Sequence, residues 1–165
     1  MNDSATSEAD VQRAMEDAYW VFGGEFIGRA ARRRLTALHE IDSPLLRPDG
    51  VLHLVELKRP SAPVLRFGSP QSAVVSAEVN EAVGQVMQCL NALDEQRDAI
   101  RSEFSVDTRR ASATVIIGNA LFQPRHQEQT HREALRVYNS YLSRIDVRTY
   151  DDVIDSAERS LTLDA

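Results

Sequence analysis

Asp42, Glu56 and Lys58 are the residues of this chain whose types and spacing suggest chemistry. Of its 19 basic residues, all but Lys58 are arginine. A guanidinium stays protonated above pH ~12, whereas a lysine is a compact ammonium with a movable pKa. The lone lysine follows a carboxylate by two residues, in Val55-Glu56-Leu57-Lys58, at the end of an apolar run. Upstream, Pro48-Asp49-Gly50 suits a three-residue hairpin loop, with proline at the first turn position and glycine at the left-handed one. Such a loop sets Arg47 against Val51, and counting outward places Asp42 opposite Glu56 and Glu40 opposite Lys58. Strand alternation puts these four on one face with Leu52 and Leu54, and Val51, His53, Val55 and Leu57 on the other.

Carboxylates directly across a strand pair repel each other, yet cross-strand Cβ atoms about 4.5–5.5 Å apart allow both to share one divalent cation. Mg²⁺ takes oxygen ligands at about 2.0–2.1 Å and keeps several waters. The spacing therefore assigns Asp42 and Glu56 to Mg²⁺ (or Mn²⁺), with Lys58 beside the ion and the Leu57 backbone carbonyl as a further ligand. The bland alternative is a surface ion-pair cluster, which leaves two facing like charges without a reason. Glu40 either ligates a second ion or pairs with Lys58. Asp49, seven residues from Glu56, lies up to ~20 Å away along an extended strand and is a turn residue.

The elements that must position this cluster follow from periodicity. A helix is expected over residues 7–20, with Val11, Ala14, Met15 and Ala18 at helical spacing, then a short helix over 25–34. Strands are expected over 35–46 and 51–58, and a loop over 59–72, where Pro60, Pro63, Gly68 and Pro70 fall. Ser76 is a natural N-cap for one long helix to Phe104, with Val79, Val83, Val86, Leu90 and Leu93 on one face. Residues 113–118 read as a buried strand, 126–143 as a helix and 145–148 as a strand, with a last helix from about Asp151. The order is that of a single α/β domain over 1–165, with 1–17 as a peripheral N-terminal helix.

With 165 residues, 42% hydrophobic and 27% charged, the chain has the composition of a globular domain. No stretch approaches the ~20 apolar residues of a membrane span, and the polar first twenty residues lack a signal-peptide core. One cysteine, Cys89, excludes an internal disulfide, so a soluble, cytoplasmic protein is expected. A net charge of -6 argues against coating nucleic acid by bulk electrostatics. It leaves room for an enzyme whose bound cations offset a carboxylate cluster. Arg29, Arg32, Arg33 and Arg34 form either a solvated face or a phosphate-contacting patch, and Arg59 is a better-placed phosphate neighbour. His39 and His53 are read as structural, Trp20 and Phe22 as core anchors.

An aspartate, a hairpin and then Glu-x-Lys closing an apolar strand resembles the PD-(D/E)xK nuclease superfamily. The runs Trp20-Val-Phe-Gly-Gly-Glu25, His39-Glu-Ile-Asp42, Val55-Glu-Leu-Lys-Arg-Pro60 and Glu81-Ala-Val-Gly-Gln85 look more narrowly like the nuclease domain of Shedu antiphage defence proteins, over residues 18–120. The resemblance implies a restriction-endonuclease-like sandwich, a central mixed β-sheet flanked by helices. It also implies metal-dependent cleavage of nucleic acid, with DNA as substrate, in bacterial defence, often as a homo-oligomer. Lys58 would then orient the attacking water, help deprotonate it, or stabilise the developing charge. Glu25 would add an acidic ligand from the N-terminal helix, and Gln85 would position water or phosphate. Related nucleases often carry an aromatic residue four positions after that glutamine, where this chain has Cys89. Shedu-like proteins commonly carry a variable domain ahead of the nuclease, so a further domain or partner for substrate capture is expected. The competing expectations are a catalytically inactive nuclease-fold module that binds or regulates, and a phosphoesterase acting on nucleotides.

Overall fold

The computed structural model describes residues 5–15, 19–22, 26–29, 42–69, 72–123 and 128–163. Its centre is the hairpin of β2 (Ser43–Leu46) and β3 (Leu52–Leu57), closed as the turn chemistry requires. Gly50 takes φ 80°, a left-handed conformation that glycine adopts without steric cost. The Arg47 N–H donates to the Val51 carbonyl at 3.0 Å, and the Asp49 carboxylate accepts from the Val51 N–H, so Asp49 serves the turn. The register runs Leu46↔Leu52, Leu45↔His53, Pro44↔Leu54 and Ser43↔Val55, as expected.

β1 (Gly28–Arg29) pairs antiparallel with β2, while β6 (Ser112–Ile116) and β7 (Ile145–Arg148) continue the sheet in parallel on the other side of β3. The mixed sheet therefore has the order β1-β2-β3-β6-β7. Parallel neighbours need crossovers, which here are helical. α2 (Ala77–Glu95) and α3 (Arg97–Phe104) connect β3 to β6, and α4 (Glu128–Ser140) connects β6 to β7. Both sheet faces are thus covered. Leu52 and Leu54 of β3, with Val115 of β6, meet Val79, Val83, Val86, Leu90 and Leu93 of α2 and Leu135 of α4. Val55 and Leu57 turn the other way, against Val11 and Met15 of α1 (Glu8–Met15) and Tyr150 and Val153 of α5 (Tyr150–Leu163).

Four expectations are corrected. Residues 59–72 are not all loop: β4 (Leu65–Ser69) and β5 (Ser72–Val75) form a separate antiparallel pair in which buried Leu65 and Val75 face each other. Pro60 and Pro63 confine the irregular backbone to the first part of the segment. The long helix divides at Gln96, where φ is -96° and ψ 10°. At that division the Leu93 carbonyl accepts from the Thr108 hydroxyl at 2.9 Å, a contact with the following loop. Gly28 and Arg29 lie in β1 rather than a helix, because the Ile27 N–H and the strand itself pair with β2. Trp20 is no core anchor, being 48% exposed, while Phe22 is buried. Residues 25 and 30–34 of the expected helix, and residues 35–41 of the expected strand, lie outside the described residues.

The Ser76 hydroxyl accepts from the Val79 N–H at 3.1 Å, capping α2 as expected, and donates to the Pro63 carbonyl at 2.7 Å. At the sheet border, the Asn139 carboxamide of α4 takes both main-chain groups of Val147: it accepts from the N–H at 3.0 Å and donates to the carbonyl at 2.9 Å.

Candidate active site

The hairpin register carries Asp42 to the end of β3. Its Oδ2 accepts from the Leu57 N–H at 2.9 Å, across the hairpin. Gln12 of α1 holds it from the other side, donating Nε2 to Oδ1 at 3.3 Å and to the Asp42 carbonyl at 3.1 Å. Glu56 projects from β3 on the α2 side. Burial pushes its carboxyl pKa up, the hydrogen bond from Lys58 pulls it down, and the charges of Asp42 and Glu8 raise it again. The upward influences win. Asp42 and Glu56 therefore feel one another as like charges, the condition a shared cation would relieve.

Lys58 emerges just beyond β3 and donates Nζ to Glu56 Oε1 and to Gln85 Oε1, both at 2.8 Å. Burial alone would lower its pKa. The Glu56 hydrogen bond and the charges of Glu56, Glu8 and Asp42 outweigh that, and the ammonium holds its proton more tightly than usual. Gln85 reaches it from the exposed shoulder of α2. One turn further along, Cys89 is buried, and burial with the charge of Glu56 pushes its thiol up to about 11. A thiol so poised is inert.

A groove of about 200 Å³ opens beside Lys58, lined by Glu8, Lys58, Arg59, Glu81 and Gln85 among others, with Asp42 and Glu56 behind its wall rather than in its lining. Arg59 is exposed there, next to the lysine. A larger groove, about 640 Å³, lies between β5 and α4. Its walls are mostly apolar, Val74, Ala134 and Val137 among them, and it gathers no opposed carboxylates.

Glu8 and Gln12 are the residues about this cluster that were missed in the sequence. Glu8 shares the α1 face of Val11 and Met15, so the signal was a carboxylate at the head of a buried stripe. Glu25, the carboxylate expected from the N-terminal segment, lies outside the described residues. So do Arg32, Arg33, Arg34, His39 and Glu40, and of Arg29 only the backbone is described. His53 sits on the opposite sheet face, its ring nitrogens bonded to Ser112 Oγ (2.8 Å) and Thr114 Oγ1 (3.0 Å) and its ring 5.0 Å from that of Phe26. Burial, helped by the charges of Arg47 and Arg148, lowers its pKa to about 4. It is a neutral structural imidazole.

Among the described residues no three His, Cys, Asp or Glu side chains gather into a closed metal cage. A hard cation that keeps its waters does not need one, since one or two carboxylates suffice for Mg²⁺. The donor set of Asp42 and Glu56, with Glu8 at the rim, is all oxygen and suits such an ion.

A family model described as Shedu protein SduA, C-terminal, matches residues 5–154. Among solved structures the chain is similar to a repair endonuclease from Pyrococcus abyssi, with 15% identity, a TM-score of 0.41, and coverage of 89% of this chain and 48% of that one. It is also similar to a structure of an EndoMS–dsDNA complex, with 12% identity, a TM-score of 0.39, and coverage of 87% and 44% respectively. The chain thus spans about half the length of either protein. No curated protein sequence matches it.

Proposed function

The chain belongs to the Shedu protein SduA C-terminal family, and from that premise we propose that it is a metal-dependent DNA endonuclease acting in antiphage defence in the cytoplasm. The observation that carries the reading is the single lysine, held between Glu56 and Gln85 beside the Asp42 carboxylate. Asp42 and Glu56 are the residues that would hold Mg²⁺ or Mn²⁺. The Leu57 N–H points to Asp42, and the N–H and C=O of one strand residue face the same edge, so the Leu57 carbonyl is placed to assist. Glu8 stands for the acidic contribution from the N-terminal helix. When bound, the ion supplies polarisation of the scissile phosphate and acidification of a water.

The protein's own groups do the rest. Lys58 keeps its proton at neutral pH and so acts as a donor: it orients the water and meets the charge that develops on the phosphate. Gln85 fixes the ammonium's direction and presents its amide to water or phosphate. Arg59 offers a planar fork to a neighbouring phosphate. A net charge of -6 is a poor footprint for a polyanion. DNA capture therefore draws on local basic groups such as Arg59 and on a further domain or partner that offsets this charge.

Plasmid cleavage in Mg²⁺, Mn²⁺ or chelator, comparing the native protein with Glu56→Ala and Asp42→Ala, tests the proposal. Metal-dependent cleavage lost in both variants is expected. Full activity in chelator, or in Glu56→Ala, overturns it. The acidic groove rim, with Glu78 and Glu81 on α2, favours one other reading, a nuclease-fold module that binds without cutting. Mn²⁺ binding with no cleavage of any DNA would select that reading.

A further inference from the structure

Lys58 owes its position to an irregularity where the parallel ladder ends. Its N–H donates to the Ile116 carbonyl at 2.8 Å, the regular bond between β3 and β6. A regular parallel ladder would next run from the Gly118 N–H to the Lys58 carbonyl. The Gly118 N–H instead goes to the Arg59 carbonyl at 3.3 Å, one residue further on. Gly118 permits the shift: it takes φ +71°, and a Cβ there would stand 2.3 Å from Val64 Cγ2 and 2.8 Å from the Ala62 carbonyl. The Lys58 carbonyl released by this slip is taken by Tyr150, the first residue of α5, whose phenol donates to it at 2.6 Å. Tyr150 is fully buried, and its own N–H donates to the Gly118 carbonyl at 3.0 Å. One residue therefore grips both strands that form the slipped end.

We propose that Tyr150 is a positioning residue for Lys58, holding the slipped end of β3 so that the ammonium is directed at Glu56 and Gln85. The catalytic consequence rests on the nuclease reading; the positioning does not. Without the phenolic donor, a part-buried carbonyl loses its partner and the strand end is free to return to the regular ladder. Irregularities of this kind, set beside reactive groups, serve to re-aim a side chain.

The composition supplies two reporters for the test, since the chain has one lysine and one cysteine. Acylation of Lys58 by an activated ester and alkylation of buried Cys89 are followed by mass spectrometry in the native protein, in Tyr150→Phe and in the control Tyr138→Phe. Tyr138 bonds to Asn80 on the surface, away from the lysine. The expected result is a several-fold faster Lys58 acylation in Tyr150→Phe alone, with Cys89 still protected. On DNA, kcat falls roughly tenfold at unchanged KM. An unchanged Lys58 rate overturns the proposal, as does a joint rise of Lys58 and Cys89, which would mean general loosening. Should the native protein cleave no DNA, the nuclease reading fails, while the two labelling rates still decide the role of Tyr150.

Discussion

Lys58 donates to Glu56 and Gln85 over equal distances of 2.8 Å, a geometry built for a slender ammonium. The wider guanidinium cannot occupy both contacts in the same space. Lys58→Arg should lower cleavage by about 100-fold or more while leaving DNA affinity and the melting temperature near native values, as single-turnover kinetics beside a binding assay will show. The second prediction concerns His53, whose pKa falls from 6.5 to about 4 on folding. As pH drops, the unfolded chain takes up this proton first, so the stability is complete above pH 6.5 and is lost between 6.5 and 4. Denaturant unfolding should show a loss of about 2 kcal/mol between pH 7 and pH 5 from this group, absent in His53→Gln. Asp42, Glu56 and Lys58 were legible in the sequence because one tight turn sets which residues oppose each other. Glu8 and Gln12 were not, because nothing local says that the start of α1 lies across the end of β3.

At the level of elements, local chemistry was readable wherever a residue acts on its near neighbours. Gly50 in the turn, Ser76 at the head of α2 and the apolar run of β3, buried on both faces, all behave as their sequence context requires. The division of the helix at Gln96 and the β4–β5 pair were hidden because groups beyond the local sequence act there, the Thr108 hydroxyl in one case and the pairing of Leu65 with Val75 in the other. Gly118 shows how tightly elements meet. Gly118→Ala combines a left-handed backbone with a side-chain clash against Val64, and should cost roughly 2–4 kcal/mol in chemical denaturation. Ser76→Ala, which removes a cap, should cost about 1 kcal/mol.

For the molecule as a whole, an ion held by Asp42 and Glu56 as proposed would couple binding to folding. Mn²⁺ should raise the melting temperature of the native protein, by about 2.7 kcal/mol of added stability at one hundred times its dissociation constant, and leave Asp42→Asn unmoved. Calorimetry across a metal titration measures both. The β7 border of the sheet is partly occupied by one of the chain's own side chains. At β7, Asn139 already engages the N–H and carbonyl of Val147 that an incoming strand would seek. A strand arriving at that margin would have to displace the Asn139 carboxamide before it could pair with Val147.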